Sequence, residues 1–263
     1  PFFIPLLIGL QGRLAESGLD LTVVMGAPGD YQQERLRRVV ETRRADAVVL
    51  AWTRREDERI DYLTERGFPF ATLGRSRSGG KSYPSLDLDF EKAGSDAVDR
   101  LVARGHRRIA AIRPALNLNF GYLFIDGYRK ALKRHGIEVD PALIAEGFIN
   151  EAGGYQVTPR VMLAKDRPTA IIFNNDARAR GGCKALAEMG IRPGHDIAVI
   201  VIVDTPLCRY FSPALTAFRP ALEPMGRRLA EMLLASLPAF AGPEGTRIMR
   251  EVWPLELIAR ESD

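Results

Sequence analysis

The stretch Arg167–Met189, RPTAIIFNNDARARGGCKALAEM, predicts a buried parallel strand that runs into a polar tip and then into a helix. The strand is Thr169–Phe173, and the tip is Asn174, Asn175 and Asp176. After the tip, apolar residues recur at helical spacing and place one face on the sheet: Ala179, Cys183, Leu186 and Ala187. Because ligands of open α/β sheets bind at the carboxyl ends of the strands, the tip is a candidate binding site.

The composition is that of a soluble globular protein. With 263 residues, of which 46% are hydrophobic and 27% charged, the chain is long enough for two modest cores. The formal net charge of +4 is spread along the chain, and the arginines between positions 35 and 44 are typical of a solvated helix face. We therefore expect no DNA contacts on this chain.

Membrane spans, secretion and metal binding are not indicated. The first apolar run, PFFIPLLIGL, ends at Gln11 and Arg13, short of the roughly 18 residues that a span needs. It also lacks the features of a signal peptide and begins without Met, so we interpret the chain as a fragment of a cytoplasmic protein. Two cysteines without a CxxC pair and three histidines argue against a zinc site, and no cofactor is expected.

Short β-branched runs alternate with amphipathic helices along the chain, which predicts an α/β fold with two doubly wound parallel-sheet subdomains. Strands are predicted at 21–25, 47–51, 70–73, 108–112, 143–148, 169–173, 197–203, 215–218 and 252–258. A late helix and a late strand are expected to return to each half in turn. One subdomain would then span 1–113 and about 219–240, and the other 114–218 and about 243–263, with 242–245 resembling a linker.

Catalytic motifs are absent from the sequence. It contains no GxSxG, HExxH or GxGxxG pattern. The run Gly79–Ser82 resembles the end of a phosphate-binding loop, but Arg75 stands where the leading glycine belongs and no helix follows. His106 is interpreted as a structural turn residue before a strand. We therefore expect a binding protein and not an enzyme.

Ten sequence blocks carry a resemblance to a known family. They are PFF at 1–3, RRADAVVL at 43–50, GFPFATLGR at 67–75, LDLDFEKAG at 86–94, LVARGHRRIA at 101–110, DGYRKALKRHGI at 126–137, RPTAIIFNND at 167–176, ALAEMGIRPGHDIAVI at 185–200, RYFSPALTAFRP at 209–220 and LELIARES at 255–262. Through these blocks, in family order, the chain resembles the effector-binding core of LacI/GalR-type transcriptional repressors, whose fold is that of type I periplasmic sugar-binding proteins.

The resemblance implies a cytoplasmic homodimer whose two subdomains close on a small effector, often a sugar or nucleoside-like metabolite. Closure changes the spacing of helix-turn-helix domains on operator DNA. Those domains, and the first strand of the core, are expected upstream of Pro1. Two alternatives remain at this point: a periplasmic sugar-binding protein of a transporter, which shares the fold, and an enzyme on the same scaffold.

The resemblance also implies ligand-binding residues, each with a structural alternative. Asn175 and Asp176 match the family's ND pair, although Asp176 could instead cap the following helix. Arg75 ends a strand of the opposite subdomain and could clamp hydroxyls or a carboxylate, or form an ion pair with Asp87 or Asp89. Phe2 and Trp52 could stack on an apolar ligand face or serve as packing residues.

Departures from the family pattern bear on the same site. Phe124 stands where the family commonly has an effector-binding arginine, and Val203 replaces the first carboxylate of a GFDD motif that ends here in Asp204. Phe90 replaces the asparagine of a DN pair. With Ile149 added to the candidate contacts, these residues predict a pocket less polar than usual, which would bind a bulkier or less charged effector or bind its effector weakly.

Overall fold

The structure is a computed structural model that describes residues 2–24, 31–80, 83–114, 117–240 and 248–263. Its helices and strands, in chain order, are α1 (Phe3–Ala15), α2 (Tyr31–Glu41), β1 (Val48–Leu50), α3 (Glu58–Glu65), β2 (Phe70–Leu73), β3 (Ser85–Leu88), α4 (Phe90–Ala103), β4 (Ile109–Pro114), α5 (Asn119–Arg134), β5 (Ile144–Gly147), α6 (Glu151–Met162), β6 (Ala170–Phe173), α7 (Asp176–Glu188), β7 (Ala198–Val201), β8 (Thr216–Arg219), α8 (Leu222–Leu234), β9 (Arg250–Trp253) and β10 (Glu256–Ile258). None of the described helices is long and apolar enough to cross a membrane.

The chain forms two compact units, each built on its own sheet. The first, Pro1–Asp87 with Ala221–Trp253, holds a sheet in the order β1-β2-β3-β9, in which β1, β2 and β3 are parallel. The second, Leu88–Pro220 with Pro254–Asp263, holds the order β10-β8-β7-β6-β4-β5, parallel except for β10 against β8. The predicted fold class, two α/β subdomains with parallel sheets, is confirmed.

The core of the second unit explains why its strands read as continuous apolar runs. All four residues of β6 and of β7 are buried, because helices cover both faces of a parallel sheet. Ile171, Phe173, Val199 and Val201 belong to one cluster with residues of α6 and α7. The packed sheet fixes the direction in which the β6 tip points.

Two predicted strands differ from the structure. The strand predicted at 21–25 is not formed over 21–24, and Met25 lies outside the described residues. Val23 and Val24 are 53% and 57% exposed. The β propensity of these residues alone therefore does not place them in a sheet. The strand predicted at 252–258 is two strands, β9 and β10, which belong to different sheets. Pro254, which has no N–H to donate, stands between them.

The division between the units falls at 87/88 and not at 113/114 as predicted. The reason is strand pairing, since β4 pairs with β5 on one side and β6 on the other. Helix α4, which precedes β4, packs on α5 of the same unit. The crossing at 220/221 falls close to the prediction, whereas the last crossing lies at 253/254 and not near 243, because β9 belongs to the sheet of the first unit.

Three helix pairs pack backbone against backbone through reciprocal glycines. A Cβ built on the glycine of either helix would lie 1.8–2.4 Å from a carbonyl oxygen of the other. The pairs are Gly9 with Gly226 in α1 and α8, Gly94 with Gly127 in α4 and α5, and Gly154 with Gly181 in α6 and α7. Only glycine permits this approach, so these positions set how closely the helices pack.

Two glycines on α1 provide a matched test of this packing. Gly9→Ala is expected to lower the free energy of unfolding by about 3 kcal/mol, because its Cβ would lie 2.0 Å from the carbonyl oxygen of Glu223. Gly12→Ala, at an exposed position of the same helix, is expected to stabilise by about 0.5–1 kcal/mol through helix propensity. Urea unfolding measures both, and equal effects would contradict the packing argument.

Candidate functional site

The polar tip after β6 begins helix α7. The Oδ1 atom of Asn175 accepts a hydrogen bond from the Arg178 backbone N–H at 3.0 Å, so Asn175 and not Asp176 is the N-cap. Asp176 is buried and its Oδ2 accepts from the Thr205 hydroxyl at 2.7 Å. The cap occupies only the oxygen of the half-buried Asn175 amide, which leaves its NH₂ group for a ligand.

The residues after β7 are more buried, and have more partners within the protein, than the predicted role in ligand binding implies. Val203 is buried. The carboxylate of Asp204, 3% exposed, accepts from Arg260 Nη2 at 2.8 Å and from Arg219 Nε at 3.2 Å. Two guanidinium groups therefore already neutralise the one carboxylate that remains of the family motif.

The loop after β5 contacts an arginine that the sequence reasoning missed. Arg178 is 0% exposed, and its Nε donates to the Phe148 carbonyl at 2.9 Å while its Nη1 donates to Asn174 Oδ1 at 3.3 Å. Burial lowers the pKa of Arg178 to about 9, so the group still carries its charge at pH 7. Ile149, the predicted contact in this loop, is half-buried.

The signal for Arg178 was present in the sequence. Arg178, Gly182 and Ala185 lie at positions i, i+4 and i+7 of α7 and are all buried, so they share the helix face that packs on the protein. An arginine on such a face is rare unless it meets a partner. The surrounding polar residues at 174–180 masked this pattern.

Phe124 has a packing role in the structure. It is 0% exposed, and a Cβ on Gly94 would lie 2.4 Å from its carbonyl oxygen and 3.0 Å from its ring. Its ring therefore lies in the contact between α4 and α5. Phe90, the other aromatic departure, is buried and packs on Phe120 with ring centroids 5.2 Å apart.

The predicted contacts in the first unit lie after its parallel strands or at the start of α1. Arg75 Nε pairs with Asp87 Oδ2 at 2.7 Å, which is the structural alternative named for it. Trp52 follows β1 with a left-handed backbone (φ 57°), a conformation that is costly for a bulky residue. Its ring stacks on Phe3 at 6.0 Å, and Phe3 meets Phe2 edge-on at 5.2 Å.

Nothing in the described residues indicates metal or thiol chemistry. They contain no group of three or more His, Cys, Asp or Glu side chains that could hold a metal ion. Burial raises the pKa of both the Cys183 and the Cys208 thiols to about 12, so neither forms the reactive thiolate at neutral pH. The features gathered at the strand ends are hydrogen-bonding and stacking groups.

Comparison with known proteins establishes the family. A family model described as "Periplasmic binding protein-like domain" matches residues 98–262. The HTH-type transcriptional regulator AglR of Rhizobium meliloti (strain 1021) is 31% identical over 259 residues, which cover 97% of this chain and 71% of AglR. The chain belongs to the LacI/GalR family of transcriptional regulators.

Other LacI/GalR relatives agree in sequence and in fold. The HTH-type transcriptional regulator CelR of Thermobifida fusca is 28% identical over 263 residues, covering 100% of this chain and 76% of CelR. The solved CelR–cellobiose complex superposes with a TM-score of 0.92 at 27% identity, covering 100% of this chain and 79% of that one. A LacI family regulator from Enterococcus faecium with bound ribose gives 0.83 at 25% identity, covering 100% and 94%. These relatives are transcriptional regulators and not enzymes.

The cap of this LacI/GalR core can be tested by two substitutions. Asn175→Ala is expected to lower the free energy of unfolding by about 1 kcal/mol, because the first turn of α7 loses its side-chain acceptor. Asn175→Asp keeps an acceptor oxygen at the same position and should unfold close to wild type. Equal losses in both variants, measured in urea, would show that Asn175 stabilises the fold by another contact.

The buried carboxylate of Asp204 provides a second stability test. Asp204→Ala is expected to cost about 3 kcal/mol, because Arg260, 11% exposed, would lose its buried counter-ion. The control Asp96→Ala removes an exposed pair with Lys92 on α4 and should leave the melting temperature nearly unchanged. Calorimetric melting of the two variants makes the comparison, and similar melting temperatures would overturn the assignment.

Proposed function

We propose that this chain is the ligand-sensing and dimerisation core of a LacI/GalR-type transcriptional repressor, and that it binds a small, sugar-like effector in a cleft between its two units. The family membership supports the regulatory role. The CelR–cellobiose and ribose-bound relatives support a sugar-like effector class.

The observation that carries the proposal is that polar and aromatic side chains lie at the carboxyl ends of the parallel strands in each unit. In the second unit, the Asn175 amide stands at the carboxyl end of β6, where an open parallel sheet binds ligands. In the first unit, Trp52 and Arg75 follow β1 and β2 at the corresponding strand ends. An amide pairs with hydroxyls, and an aromatic ring covers the apolar face of a sugar.

The mechanism proposed follows from two units joined by separate chain crossings. An effector that binds both strand edges stabilises the arrangement in which they are closest, and so shifts the population of the two units toward it. In a homodimer this shift would reposition helix-turn-helix domains on operator DNA. We propose that those domains lie upstream in the full-length protein and that it acts in the cytoplasm.

Asn175 allows the proposal to be tested separately from stability. Asn175→Asp keeps the helix cap but replaces the amide donor with a carboxylate, so effector affinity is expected to fall about 10- to 100-fold while the melting temperature stays unchanged. Isothermal calorimetry against a panel of mono- and disaccharides measures the affinity. An effector that binds both proteins equally would remove Asn175 from the site.

The regulatory role is tested with the full-length protein. Its operator is sought in the DNA flanking its own gene by gel shift, and the sugar that binds in calorimetry is added to the complex. We expect that sugar to change the operator affinity of the wild type at least 10-fold. In Asn175→Asp, the same change is expected to require a tenfold higher sugar concentration. An operator affinity that does not respond to a bound sugar would contradict the proposal.

A further inference from the structure

Two side chains at the tip of β6 hold buried hydrogen-bond donors without a partner in the part of the chain that the structure describes. Arg178 and Asn174 are 0% and 1% exposed. Among the residues that the structure describes, Arg178 Nη2 and Asn174 Nδ2 have no hydrogen-bond partner. The Asn174 amide oxygen accepts from Arg178 Nη1, which assigns the NH₂ group as the other end of the same amide. Buried donors of this kind are rare, because each one forfeits its hydrogen bonds to water.

The charge on Arg178 also has no counter-ion among the described residues of the second unit. The carboxylates that end the neighbouring strands are engaged by other groups: Asp176 by Thr205 and Arg180, Asp204 by Arg219 and Arg260, and Glu146 by Arg113. No described acid forms an ion pair with Arg178, whose two observed bonds go to neutral oxygens. The group therefore lacks the anion that normally accompanies a buried guanidinium.

Two helix N-termini add to the positive potential at the same place. Arg178 belongs to the first turn of α7, and its Nε is held by the Phe148 carbonyl, two residues before the Asn150 cap of α6. The unsatisfied N–H groups of a helix N-terminus favour anions and disfavour cations. A cation at this position is disfavoured unless a negative group joins it.

We propose that Arg178 Nη2 and Asn174 Nδ2 form a subsite for an oxyanion, a carboxylate or a phosphate, carried by the effector. The inference rests on the proposed function, because these donors lie at the strand end that holds Asn175, and it narrows the effector class from neutral sugars to acidic ones. A guanidinium and an amide present several N–H donors to one acceptor group, which suits the two or three oxygens of an oxyanion. A neutral hydroxyl would satisfy a donor but leave the charge unpaired.

Inorganic phosphate and formate test the subsite without knowledge of the effector. Each is titrated at constant ionic strength, with chloride as the exchanged anion, while thermal unfolding is followed. Wild type is expected to show a saturable rise in melting temperature with at least one of the two, and the anion that gives it distinguishes phosphate from carboxylate. A rise equal to that of a chloride control, or no rise with either anion, would overturn the inference.

Two variants on α7 assign the response to Arg178. Arg178→Met removes the buried cation, is expected to melt no lower than wild type in chloride, and should lose the anion response. Arg180→Met removes a partly exposed arginine two residues away, which pairs with Glu151 at 3.3 Å, and should keep it. The same anion response in Arg178→Met as in wild type would show that the anion binds elsewhere.

Matched ligands then connect the subsite to the effector. A hexose, its uronic acid and its 6-phosphate are compared by calorimetry on the full-length regulator. We expect one acidic member to bind about 10- to 100-fold tighter than the neutral sugar, and Arg178→Met to abolish that difference. Tight binding of the neutral sugar alone, unchanged in Arg178→Met but weakened in Asn175→Asp, would overturn the oxyanion subsite and leave the proposed function standing.

Discussion

The packing of this protein depends on helices that meet through their backbones. In each of three helix pairs, both helices carry a glycine at the contact. A carbonyl oxygen of the neighbouring helix lies where the Cβ atom of any other residue would be. In the α6–α7 pair, Gly154 lies directly against the backbone of Arg178. From this position the Arg178 side chain reaches the Phe148 carbonyl after β5. The close α6–α7 packing therefore accompanies a buried cation beside the tip of β6.

Two buried ionic groups of the second unit, Asp204 and Arg178, differ in the partners that the protein gives them. Asp204 pairs with two arginines, whereas the guanidinium of Arg178 bonds only neutral oxygens among the described residues. Sequence comparison with the family suggested a less polar pocket, because Phe124 replaces an arginine. Phe124 lies inside the α4–α5 contact, and Arg178 brings a guanidinium to the strand end from a different helix. The sequence alone indicated a less charged effector, whereas we propose an anionic one on the basis of Arg178.

Sequence periodicity predicted the strands and helices that depend on neighbouring residues. It failed where contacts between residues distant in sequence determine the structure. The strand 70–73 and the β6–α7 unit follow from apolar runs, helical spacing and end signals. The strand predicted at 21–25 was wrong over 21–24, because valines have β propensity but these two are exposed and pair with no strand in the described structure. The boundary predicted at 113 was wrong because β4 pairs with β6. Family motifs singled out Asn175 and Arg75 as candidates, and helical spacing marks Arg178 as buried. The absence of a charged partner for Arg178 depends on contacts 30 residues apart in sequence, which no local pattern reveals.

The central claim is that the tip of β6 recognises a charged group of the effector through buried donors. A crystal structure of the effector-bound protein, at a resolution that shows ordered water, tests this most directly. The account predicts a carboxylate or phosphate oxygen of the effector within hydrogen-bond distance of both Arg178 Nη2 and Asn174 Nδ2. Water or protein oxygens on both donors, with the effector bound elsewhere, would contradict it.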